Sequence, residues 1–135
     1  MAIGLGVVDY EVLIRLVVAA IVGGLIGLER EAVHKPAGVR THMLVSLGAA
    51  LFVLATLSIA PDEVGRIIAG IATGIGFLGA GTIFRSKDNV KGLTTAASIW
   101  AAAAIGLTIG IGSYALAISA MILVILILQL KKAVK

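Results

Sequence analysis

Cysteine is absent from the 135 residues. Disulfide staples, thiol nucleophiles and thiolate metal sites are thereby excluded. Charge is scarce: Asp, Glu, Lys and Arg make up 13% of the chain, against 60% hydrophobic residues. A soluble domain of this length needs a polar shell that so few charges cannot build. Linkers rich in Pro or Ser and low-complexity tails are missing too. Of the enzyme signatures, neither G-x-S-x-G nor H-E-x-x-H occurs, and no carboxylate pair lies within an apolar stretch. No Lys or Arg precedes Glu11. The basic start of a cleaved signal is therefore lacking, and the first span is expected to be retained.

What the sequence has is long apolar runs. Runs of about 18 or more residues mark membrane spans rather than core helices. Five are expected, at about Tyr10–Leu28, Thr41–Ile59, Val64–Phe84, Leu93–Ile109 and Ser113–Leu130. The fold class is all-α: a polytopic transmembrane helix bundle forming one domain over residues 1–135. Basic residues gather in the first loop (Arg30, Lys35, Arg40), the third loop (Arg85, Lys87, Lys91) and the tail (Lys131, Lys132, Lys135). With an odd span count these three clusters share one side. The positive-inside rule makes that side cytoplasmic and puts the N-terminus outside. The net charge of +4 then points to anionic lipid headgroups, not to nucleic acid.

Gly74-Ile-Gly76-Phe-Leu-Gly79 matches the dinucleotide fingerprint, but that motif works at a strand-to-helix turn. Here it lies inside an apolar run, where small residues let helices approach closely. Gly23 and Gly27 in the first span, and Gly70, Gly74, Gly76, Gly79 and Gly81 in the third, are the expected packing positions. At about 100° per residue, Gly70, Gly74 and Gly81 share one face and Gly76 and Gly79 another. The third span is thus expected at the bundle centre, against the first span on one side, and Leu at Gly74 or Gly76 is expected to be costly.

Arg15 lies inside the first span, with Glu11 four residues earlier on the same face. Glu29 ends that span, where a carboxylate meets the negative end of the helix dipole and needs a cation. The stretch before Pro36 reads as a short amphipathic interface helix, and Thr41 as the N-cap of the second span. The start of the fourth span, from Arg85 through Thr95, combines Lys and Arg with a free helix N-terminus that can hold an anion, a lipid phosphate in the simplest case. Trp100 falls near mid-span, so its indole N–H is expected to find a partner in a buried polar seam with Thr94, Thr95 or Ser98. Asp62 and Glu63 in the second loop are oxygen ligands that could attract a divalent cation.

Gly27-Leu-Glu-Arg-Glu31, Ala37-Gly-Val-Arg-Thr41, Gly74 to Gly81, and Asn89-Val-Lys-Gly-Leu-Thr-Thr-Ala-Ala97 with Trp100 together resemble the MgtC/SapB family over about Leu13–Gly112. The resemblance implies a multi-pass inner-membrane protein of a bacterium or archaeon, with about five spans. It also implies a regulator of other membrane proteins, among them ATP synthase and transport ATPases, in adaptation to low magnesium. Its polar signature falls here on Glu29, Arg30, Arg40, Thr41, Asn89, Gly92, Thr94, Thr95 and Trp100. With Arg85 and Lys91 these are expected to form one polar cluster on the cytoplasmic side. Many members carry a soluble C-terminal domain, whereas this sequence stops at Lys135, and some virulence members have Asn where Thr94 stands. No cofactor is expected, and the identity of any metal is left open. The expected function is non-enzymatic regulation through helix contacts. The alternative is a small oligomeric transporter or channel for Mg²⁺ or another ion, although the clear spans lack the row of acids such a path needs.

Overall fold

A computed structural model describes residues 9–133, with side chains through Leu130. The first eight residues and the basic groups of Lys131, Lys132 and Lys135 lie outside that description. Five α-helices follow in order: α1 (Tyr10–Ala32), α2 (Val39–Ile59), α3 (Val64–Ala80), α4 (Leu93–Ile111) and α5 (Tyr114–Ala133). A 3₁₀ turn, Pro61–Glu63, leads into α3. Among the described residues four helices are long and apolar enough to cross a membrane: α1, α2, the continuous Pro61–Ala80 segment and α4. The apolar stretch of α5, Tyr114–Leu130, is shorter.

The core is built where small residues let backbones meet. Ala19, Val22 and Ile26 of α1, Ala49, Ala50 and Val53 of α2, and Ile99, Ala102, Ala103 and Ile109 of α4 are buried together. They recur at the three- and four-residue spacing that lines one helix face. Helix α2 packs on both α1 and α4, and α5 covers α4 and part of α1. Helix α3 lies outside this trio. It packs on α4 and less extensively on α2, and only its Ile71 and Gly79 are buried. The expectation of a central third span against the first is therefore corrected. Helical spacing says which residues share a face, but not whether a neighbour covers it.

Three local expectations also change. Helix α3 stops at Ala80 rather than Phe84, because Thr82 Oγ1 turns back to donate to the Gly79 carbonyl at 2.8 Å. The chain then forms a β-hairpin, β1 (Phe84–Ser86) with β2 (Asn89–Lys91), pairing Ser86 with Asn89 across a two-residue turn. No separate interface helix precedes Pro36; α1 runs on to Ala32, and His34 turns the chain at φ 57°. Nor does Thr41 cap α2, which begins two residues earlier. The Glu31 carboxylate reaches across instead and accepts from the Val39 N–H at 2.9 Å. An acid at a helix N-terminus satisfies an orphan donor and complements the dipole.

Glycine is required by backbone conformation at two helix ends. Gly92 precedes α4 at φ 92°, with the Thr82 carbonyl where a Cβ would sit, and Gly112 ends α4 at φ 97°. Both lie in the left-handed region that side chains disfavour.

Candidate functional site

Two kinds of feature stand out from the packed core: buried polar groups between α1, α2 and α4, and an apolar groove between α2 and α3. At the end of the bundle that carries the first loop and the hairpin, Glu29 and Arg30 pair side by side. Arg30 Nε donates to Glu29 Oε2 at 2.7 Å, and the two side chains are 4% and 8% exposed. The cation that Glu29 needs is thus its own chain neighbour. One turn into α2, His42 is fully buried, 3.0 Å from Ser98 Oγ of α4. Thr95, one turn before Ser98, is buried beside it in sequence and face.

At the opposite end Arg15 is buried. It pairs with Glu11 and donates from Nη1 to the Gly110 carbonyl oxygen at 2.8 Å. The last carbonyls of a helix lack intrahelical partners, so a guanidinium there joins α1 to the end of α4. Asp62 and Glu63 do not form a bare acidic pair, because Arg66 holds Glu63 at 2.9 Å. Among the described residues no group of three or more His, Asp or Glu comes together to hold a metal ion.

The signature residues do not assemble into one cluster. Arg40 and Thr41 are exposed and line a small polar cavity of about 240 Å³ with Glu31 and Lys35. Arg85, Asn89 and Lys91 are exposed on the hairpin, and Thr94 on the first turn of α4. Gly92 shapes the turn into α4, and of the signature residues in the hairpin and α4 it is Thr95 that faces the interior, as the Glu29–Arg30 pair does from α1. Trp100 is 53% exposed. It is off the face formed by Thr95, Ser98, Ile99 and Ala102, so its indole reaches outward and the expected seam does not include it. Sequence reading missed His42 as an interior residue. It also missed Ser46, whose Oγ is buried without a hydrogen-bond partner among the described residues.

The glycines divide sharply. A Cβ on Gly23 would strike the His42 carbonyl and stand 2.7 Å from Ser46 Cβ, and one on Gly27 would stand 2.6 Å from Val39 Cα. Gly106 and Gly110 of α4, unremarked in the sequence, press on the Ser46 and Ala50 carbonyls of α2. The G-x-x-x-G spacing of this second pair was the available signal. By contrast, a Cβ on Gly70, Gly74 or Gly76 of α3 would meet nothing within 4 Å, while Gly79 makes ordinary contact with Ala96 and Gly81 touches only its own helix end. Gly70 and Gly74 border the groove, of about 490 Å³, which Leu44, Gly48, Phe52 and Leu78 help to line.

A helical membrane bundle with a glycine-packed trio and a loosely attached helix beside it is the class that fold and site define. The sequence profile of the MgtC family matches residues 16–135, and the chain belongs to that family. It is 45% identical to "Protein MgtC" of Salmonella typhimurium over 116 residues, which is 86% of this chain and 50% of the relative. It is 46% identical to the Escherichia coli protein named "Putative magnesium transporter YhiD", over 88% of this chain and 60% of the relative. "Protein MgtC" of Brucella abortus is 50% identical over 95 residues, 70% of this chain and 40% of that one. The chain thus spans about half the length of the curated relatives it matches. No solved structure matches it.

Proposed function

We propose that the chain is the membrane part of a non-enzymatic inner-membrane regulator in magnesium or ion homeostasis and stress adaptation. It acts by helix contact with a larger membrane protein, a transport ATPase or ATP synthase, and sits with its basic loops in the cytoplasm. The observation that carries this reading is the open α3 side of the bundle. Gly70, Gly74 and Gly76 border open space, while the glycines of α1 and α4 are consumed by packing inside the chain. Small residues at a lipid-facing surface permit close approach by another helix, where packing rather than hydrophobicity drives association.

A transporter is the second reading, favoured by the printed name of the Escherichia coli relative. The interior between α1, α2 and α4 argues against a path through one chain, since Ala and Gly close it and its ionised groups, Arg15 and Arg30, are paired. The two readings separate in proteoliposomes. Purified protein in vesicles loaded with a Mg²⁺-sensitive dye should give no more uptake than empty vesicles. Uptake above that level, scaling with protein content, would replace the regulator with a transporter. Orientation has its own check: of single cysteines at Asp62 and Ser86, only the one at 62 should react with an impermeant reagent added outside cells.

A further inference from the structure

His42 lies between α2 and α4 with hydrogen-bond partners on both ring nitrogens. Nδ1 is 2.9 Å from the Gly38 carbonyl oxygen and Nε2 is 3.0 Å from Ser98 Oγ. Ser98 Oγ is in turn 2.7 Å from the Thr95 carbonyl oxygen. A carbonyl only accepts, so Nδ1 must carry a hydrogen. The Ser98 hydroxyl has a single hydrogen and faces two acceptors, Nε2 and the Thr95 oxygen.

The count of hydrogens therefore defines two settings. With a neutral ring protonated on Nδ1, the Ser98 hydroxyl donates to Nε2 and abandons the Thr95 oxygen. With the doubly protonated ring, Nε2–H donates to Ser98 Oγ, and the hydroxyl turns to Thr95. All three contacts are then made at once. The remaining neutral form sets the Nδ1 lone pair against the Gly38 oxygen and is disfavoured. We propose that His42 and Ser98 form a proton-responsive latch between α2 and α4. Uptake of one proton from water reverses the His42–Ser98 hydrogen bond and redirects the serine hydroxyl to its own helix.

The doubly protonated ring gains a stronger, ion-assisted bond to Ser98. The charged neighbours are few. From α1, Arg30 is paired with Glu29, and the Glu31 carboxylate lies at the start of α2, accepting from the Val39 N–H; His34 and Lys35 of the first loop are exposed. From α2 itself, Arg40 is exposed two residues away. Helix α4 carries no charged residue between Leu93 and Ile111. The hairpin charges, Arg85, Lys87, Asp88 and Lys91, are exposed. In α3 the charged residue is Arg66, at its far end and bound to Glu63.

The test uses the full chain, labelled with ¹⁵N-histidine and held in lipid nanodiscs, titrated from about pH 8 to about pH 5. His34, the other histidine, is exposed, and its signals are assigned by their loss in His34→Gln. At the alkaline end His42 should be the Nδ1–H form. On acidification both nitrogens should become protonated. Ser98→Ala should confine the doubly protonated form to a pH lower by about one unit, since it removes a bond to a charged donor. Ser98→Thr, which keeps the hydroxyl, should titrate like the parent chain. The proposal is overturned if His42 stays in one form throughout, if its neutral form carries the proton on Nε2, or if Ser98→Ala and the parent titrate together. Should Ser98→Ala not fold, the parent spectrum alone decides through the first two outcomes.

Discussion

Helices α3 and α4 are both apolar and both carry glycines at a four-residue spacing, yet they use them in opposite ways. In α4, Gly106 and Gly110 let the backbone ride against the carbonyls of α2. In α3, Gly70, Gly74 and Gly76 face no neighbour. Burial follows the same division: half of the apolar window of α4 is buried, against 11% of that of α3. A glycine in a membrane helix costs helix propensity. In α4 close packing inside the chain offsets that cost, whereas at Gly70, Gly74 and Gly76 of α3 no contact within the chain does. The difference teaches that α1, α2 and α4 hold the fold, and that α3 leaves three of its glycines uncovered within the chain.

Substitutions can break or sharpen this division. The largest effect is expected at Gly23→Leu, which drives a side chain into the His42 carbonyl and Ser46. Overpacking of this kind costs about 1–3 kcal/mol or more, and folded yield in detergent should collapse; an unchanged yield would remove Gly23 from the packed trio. Next comes Arg15→Met, which keeps the stem but loses the bond to the Gly110 carbonyl. A hydrogen bond from a charged donor contributes about 1.5–3 kcal/mol. The thermal midpoint should fall, and protease access near Gly112 should rise. Glu31→Ala removes the cap on α2. Losing a helix cap costs about 1 kcal/mol, visible as faster amide exchange at Val39 with little change elsewhere. The smallest effect is expected at Gly70→Ala, where the new methyl meets nothing. Stability should stay level or rise by up to about 1 kcal/mol from helix propensity. A clear loss there would mean that α3 packs more deeply than described.

Much of the fold was legible because apolar runs and their breaks are local. The five helices lie within a few residues of their expected places, and the Glu11–Arg15 pair follows from a four-residue spacing. Gly23 and Gly27 could be read as packing positions, but their neighbour is α2, not α3. The candidate site was much less legible. His42 meets Ser98 across 56 residues of sequence, and no periodicity predicts such a meeting. Arg15 meets a backbone carbonyl of α4, and backbone acceptors leave no mark in a sequence. Trp100 falls near the middle of α4, but position along a helix does not fix rotation about its axis. Its neighbours Thr95, Ser98, Ile99 and Ala102 do fix it, and they point the indole outward. For Gly74, spacing marks a face, but no described residue covers it.

The division between a closed trio and an open α3 is tested most directly by thermal unfolding of Gly74→Leu beside Gly106→Leu in one detergent. Gly74→Leu should unfold at the parent midpoint, because its side chain enters open space, while Gly106→Leu should fall well below it or fail to fold, because Ser46 blocks it. Equal losses at both positions would place α3 within the packed core and contradict the account.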